Sequence, residues 1–211
     1  MPIESGAGPR WLAAAVLALI IGGCTPVTLT KPSPASTPAP VAPRSAMDTL
    51  TNQNQLARLA MNDRDWQVRR AAVAKLTDQA VVARVAVEDS NWAVRRAAVK
   101  KLTNELMIAR AAVEDKNSDV RIAAVEKLTD QAVLAEAAML DSNSDVRIAA
   151  VKKCTDQAVL AKAAVEDRDW QVRCSAVEKV TDQTLLSWLS AEDRNDNVRR
   201  AAGKRLTILK Q

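Results

Sequence analysis

The sequence predicts an all-α body, a solenoid of six two-helix repeats, set behind a leader and a tether. Three observations carry this. From Thr51 the chain repeats with a period of 26 residues. Each period holds two stretches with apolar residues at helical spacing. Turn punctuation almost vanishes, with no Pro after Pro43 and only Gly203 after Gly23. The composition agrees: no His, Tyr or Phe, five Trp, and a core that must be built from Ala, Val and Leu, which suits closely packed helices. The net charge of +5 is mild over 211 residues and reads as a solvated surface rather than a nucleic-acid footprint.

Residues 1–23 read as an export signal. Trp11–Ile21 is an unbroken apolar run of 11 residues behind Arg10, too short to span a bilayer but suited to a signal peptide. The ending Ile-Gly-Gly-Cys resembles a bacterial lipoprotein signal. That resemblance implies cleavage before Cys24, a diacylglyceryl thioether on its sulfur, and N-acylation with a chain such as palmitate. No other cofactor is expected. Several acyl chains would anchor the protein stably where one would not. Thr25, in place of the Asp that commonly retains such proteins at the inner membrane, points to the periplasmic face of the outer membrane in a Gram-negative cell. In other bacteria it would be the outer face of the plasma membrane. Residues 24–46 combine the lipidated Cys24 with a tether. Thr25–Ala46 holds six prolines among Ala, Ser and Thr and cannot bury a core. As polyproline II it would reach about 70 Å at ~3.1 Å per residue.

The repeat domain, 47–211, divides into units 51–76, 77–102, 103–128, 129–154, 155–180 and 181–206. Thr opens every unit and is expected to cap the first helix. Asp65, Asn91, Asn117, Asn143, Asp169 and Asn195 are placed to cap the second. Lys75, Lys101, Lys127, Lys153, Lys179 and Arg205 fall in its last turn, where a cation meets the negative end of the helix dipole. Neither helix can bury its apolar stripe alone, so neighbouring units must stack.

Within each unit an Asp is followed after four residues by Val-Arg: Asp63/Arg69, Asp89/Arg95, Asp115/Arg121, Asp141/Arg147, Asp167/Arg173 and Asp193/Arg199. This resembles the signature of HEAT repeats. The resemblance implies a right-handed alpha-alpha superhelix in which these Asp and Arg side chains form a structural ladder between turns. The 26-residue period is short for that family and leans toward the leucine-rich variant repeats. The iron–sulfur cluster attached to one such variant protein finds no cysteine cluster here. Cys154 and Cys174 occupy positions filled elsewhere by Leu, Val, Arg or Ile and read as apolar substitutes, with a disulfide left open. Their spacing fits no metal site.

A residue type present in all six units cannot mark one active site, and neither a His general base nor a Gly-rich phosphate loop is present. The chain is therefore expected to be non-enzymatic, with function where the repeats differ. On the second helix the stripe at Gln67, Arg70 and Ala74 should face outward and line the concave surface. The position of Arg70 reads Arg70, Arg96, Ile122, Ile148, Cys174, Arg200, and four residues earlier stand Trp66, Trp92, Ser118, Ser144, Trp170 and Asp196. Residues four apart share a helix face, so Trp66/Arg70 and Trp92/Arg96 are expected to stack. The expected binding face is cationic and aromatic at its N-terminal end, apolar around an exposed Ile122 and Ile148, and completed by Trp170 and Arg200. The competing reading is that each Trp covers a hairpin turn. The expected partner is an unidentified envelope protein, with no nucleic acid and no small-molecule substrate. The alternative of a nucleic-acid-binding HEAT-like module is weakened by the export signal and by Glu126 and Glu178, which interrupt the basic stripe. A chromophore lyase of the same fold has no supporting residue.

Overall fold

The computed structural model describes residues 51–211, so Cys24, the leader, the tether and residues 47–50 lie outside it. The described residues form twelve helices and no strand. They alternate as first and second helices of six hairpins: α1 (Gln53–Asn62), α2 (Trp66–Lys75), α3 (Gln79–Glu88), α4 (Trp92–Lys101), α5 (Glu105–Glu114), α6 (Ser118–Val125), α7 (Gln131–Leu140), α8 (Ser144–Lys153), α9 (Gln157–Glu166), α10 (Trp170–Val177), α11 (Gln183–Glu192) and α12 (Asp196–Leu209).

Each helix starts where a short acceptor side chain can hold its free amides. The second helices begin as their sequence predicts: Asp65, Asn91, Asn117, Asn143, Asp169 and Asn195 each accept a backbone N–H two residues on. The first helices correct the expectation for threonine. Their caps are Asn52, Asp78, Asn104, Asp130, Asp156 and Asp182, one residue after each Thr. The threonines instead staple units together. Thr77 donates its N–H and its hydroxyl to Gln53 Oε1, at 3.0 and 3.1 Å. The same double bond joins Thr103 to Gln79, Thr129 to Glu105, Thr155 to Gln131 and Thr181 to Gln157.

The core is a set of identical rows. Leu56, Val82, Ile108, Leu134, Leu160 and Leu186 from the first helices are buried against Val68, Val94, Val120, Val146, Val172 and Val198 from the second. Ala72, Ala98, Ala124, Ala150, Ala176 and Ala202 are each 0 % exposed. An Ala at every crossing lets second helices approach closely, and α2, α4, α6, α8, α10 and α12 pack on one another in sequence. First helices of neighbouring units touch lightly. The more tightly spaced layer is the inner one, so the second helices line the inside of the stack.

The sixth unit departs from these rows. Gly203 stands where Val73, Val99, Val125, Val151 and Val177 are buried, and a Cβ there would meet nothing within 4 Å. Ser190 replaces an Ala buried in all five earlier units, and Leu206 is only half-buried where its siblings are core.

Candidate functional site

The Asp–Arg pairs are a ladder between units. Arg69 grips Asp89 through Nε–H to Oδ2 at 2.7 Å and Nη2–H to Oδ1 at 2.9 Å. Arg95–Asp115, Arg121–Asp141, Arg147–Asp167 and Arg173–Asp193 repeat that two-pronged contact. Each Arg also donates from Nη1 to the backbone carbonyl of the Asp in its own unit, as Arg95 does to Asp89 at 2.9 Å. Each Asp Oδ1 additionally accepts the N–H of the following helix cap, as Asp115 does from Asn117 at 2.9 Å. Both oxygens of Asp89, Asp115, Asp141, Asp167 and Asp193 are thus occupied by donors.

Burial works to raise the Asp115 carboxyl, but the bond from Arg95, the Asn117 N–H and the charges of Arg95 and Arg121 outweigh it and hold it below the usual carboxylate range. Asp193 is lowered against burial in the same way by Arg173, the Asn195 N–H and Arg194. The ladder has two ends. The Asp63 carboxylate accepts the Asp65 N–H but bonds no arginine among the described residues. Arg199 turns to Asp196 in the first turn of its own helix, where other units carry Trp or Ser.

A third set of bonds uses the cations near the C-terminal ends of the second helices. The expected last-turn placement holds for Lys75, Lys101 and Lys153, whereas Lys127 and Lys179 lie just past the shorter α6 and α10 and Arg205 lies inside the longer α12. Lys101 donates from Nζ to the Ala74 carbonyl at 2.6 Å, Lys127 to Lys100 at 3.0 Å, Lys153 to Glu126 at 2.7 Å and Lys179 to Lys152 at 2.6 Å. Arg205 reaches the Val180 carbonyl at 3.2 Å. These cations answer the negative end of the preceding unit's second helix more directly than that of their own.

The predicted contact residues are sorted differently. Trp66 stacks under Arg70, whose Cζ lies 5.9 Å from the ring centroid. Trp92 does not pair with Arg96 in this way among the described residues. It is 41 % exposed and lines an edge cleft of about 580 Å³ between the turns of units two and three, with Val87, Arg110, Glu114 and Lys116. This is closer to covering a turn than to an inner groove. Trp170 is 39 % exposed, and Arg200 is exposed and bonded to Asn197 at 2.5 Å. Ile122 and Ile148 correct the expectation of an exposed apolar centre: both are half-buried and packed on the core. In the first two units, Gln67 Oε1 and Arg96 Nε are buried without a hydrogen-bond partner.

Cys154 is a buried core residue and Cys174 lies half-buried on the inner face; both are free thiols, with no disulfide between them. Burial, aided by Glu178, pushes the Cys174 thiol up. Sequence reasoning passed over Trp188, which is 50 % exposed on α11, and Leu140, which is 75 % exposed where four other units carry Glu. Among the described residues no cluster of His, Cys, Asp or Glu could hold a metal ion, and no helix is long and apolar enough to cross a membrane. No family model, curated protein or solved structure matches the chain.

Proposed function

We propose that the chain is a membrane-anchored lipoprotein whose repeat body is a non-enzymatic scaffold, binding a protein partner of the cell envelope through the inner face of its second helices. The body is a HEAT-like array with short, leucine-rich-variant-like units. Cys24 carries the lipid, and the Pro-rich segment holds the body off the membrane, on the periplasmic face of the outer membrane in a Gram-negative cell.

One observation carries the reading. The positions that join units are constant but for Glu105 in the staple row and Arg205 in the lysine row, whereas the exposed inner positions change from unit to unit. Arg70 and Arg200 flank a half-buried Ile122 and Ile148, with Lys100, Glu126, Lys152, Glu178 and Lys204 standing clear of the surface. Shared letters stabilise a stack; differing exposed letters discriminate partners. The alternating Lys and Glu speak against a phosphate backbone, which a run of one sign would attract.

Affinity capture of the full-length lipoprotein from native membranes tests this. Arg70→Ala/Lys152→Ala on the inner face should lose the partner, and Arg84→Ala/Arg110→Ala on the first helices should keep it. Equal capture by both would end the proposal. Loss of acyl labelling and of membrane pelleting in Cys24→Ser tests the anchor.

A further inference from the structure

The inner face carries a row that the contacts already described do not use. One position recurs every 26 residues toward the C-terminal end of the second helices: Ala74, Lys100 and Lys152 in a last turn, Glu126 and Glu178 as C-cap residues, and Lys204 inside the longer α12. All six are exposed. From Lys100 the charges alternate strictly, plus, minus, plus, minus, plus. None of these five makes a side-chain hydrogen bond or an ion pair among the described residues. Three of them, and Ala74, are pinned at the backbone: the carbonyls of Ala74, Lys100, Glu126 and Lys152 each receive the Nζ of the next unit's lysine. The row is therefore a fixed ruler with one free charge per unit.

The marks on that ruler are set by helix packing, about 8–10 Å apart. A polyproline-II segment has three residues per turn and rises ~3.1 Å per residue, so every third side chain returns to one side after about 9.3 Å. A β-strand sends every third residue to the opposite face. An α-helix could match the spacing once in seven residues, but its backbone amides are already bonded. The far wall of the inner face offers acceptors for free amides: Asp119, Asp145 and Gln171 are exposed there, one helical turn or so before the floor formed by Ile122, Ile148 and Cys174. An extended ligand has such amides to donate and a helical one does not.

Resting on the partner-binding reading above, we infer that this face reads the register of an extended, polyproline-II-type segment of a protein partner, one that carries charges of alternating sign at every third residue. Acidic side chains of the segment meet Lys100, Lys152 and Lys204, and basic ones meet Glu126 and Glu178. Each exposed pair is weak and screened by salt. Discrimination comes from all five meeting in register, which a segment of the same composition but different spacing cannot achieve.

The test uses the full chain and three synthetic probes of about 13 to 30 residues, long enough to cover five marks at the spacings above. One is extended, with Glu and Lys alternating at every third position and a single proline between each pair so that the remaining residues keep their backbone N–H groups, one has the same composition with charges at every second position, and one is an Ala-based helix with alternating charges at every seventh. Fluorescence anisotropy at low salt should show the third-position probe binding roughly tenfold or more tightly than either other. Lys152→Glu should weaken it by a similar factor, and a probe whose central Glu is changed to Lys should restore binding to that variant. Equal binding of the probes, a tighter helical probe, or indifference to Lys152→Glu would overturn the inference. If these fail while Arg70→Ala/Lys152→Ala still abolishes native capture, the scaffold reading stands and the register is wrong. If that capture is also unaffected, both fall.

Discussion

Arg95 and Asp115, 20 residues apart in sequence, join adjacent units through two parallel bonds, Nε–H to Oδ2 at 2.7 Å and Nη2–H to Oδ1 at 2.8 Å. Each side chain is 7 % exposed, so the pair is almost out of water. Removing one partner leaves a buried charge, and Asp115→Leu should cost about 3–5 kcal/mol in urea unfolding. Arg95→Met/Asp115→Leu should lose less than the sum of its single variants, with a coupling of about 2 kcal/mol. The double variant will not be neutral, because the Asp89 carbonyl and the Asn117 N–H each lose a partner as well.

The depressed Asp115 and Asp193 carboxyls give stability a definite pH dependence. An unfolded Asp binds its proton near pH 3.9. The folded state binds it at lower pH, so the ladder's contribution is fully present above that value and is lost as pH falls through the folded ones. Glu105, lowered chiefly by the Thr129 hydroxyl and then by its N–H, adds in the same direction. With no histidine in the chain, nothing of that kind titrates between pH 5 and 8. Thermal midpoints should be flat from pH 5 to 8 and drop below about pH 4.

Gly203 sits inside α12 with open space around its missing Cβ. Gly203→Ala should therefore raise stability by about 0.5–1 kcal/mol through helix propensity alone. A thermal melt that shows no gain would contradict this reading of Gly203.

Ile122 and Trp92 were grouped by sequence as contact residues, yet they differ in burial. Ile122→Ala should cost about 1–2 kcal/mol, since a half-buried side chain loses part of its transfer energy. Trp92→Ala, at an exposed edge cleft, should change stability by less than about 0.5 kcal/mol. Denaturant midpoints separate the two.

The 26-residue period made the hairpins, the second-helix caps and the in-register Asp and Arg legible, because each follows from local spacing and side-chain type. The threonines misled because capping and stapling use the same small hydroxyl, and only the backbone shows that Asp78 and its equivalents hold the helix. A signal was present in Gln53, Gln79, Glu105, Gln131, Gln157 and Gln183, a long acceptor in every unit, but its partner lies 24 residues away, beyond helical periodicity. Ile122 and Ile148 stand at the margin of the apolar stripe, where a period of 3.6 cannot say which side of the boundary a side chain falls. Trp92 turned toward a cleft shaped by the next unit's Arg110 and Glu114, which no single-helix pattern contains.

Hydrogen–deuterium exchange on the full-length chain, free and bound to its captured partner, tests most directly the claim that constant positions build the stack and varying inner positions bind. The account predicts added protection in the second helices α2, α4, α6, α8, α10 and α12, with the first helices α1, α3, α5, α7, α9 and α11 unchanged. Protection confined to the first helices would contradict it.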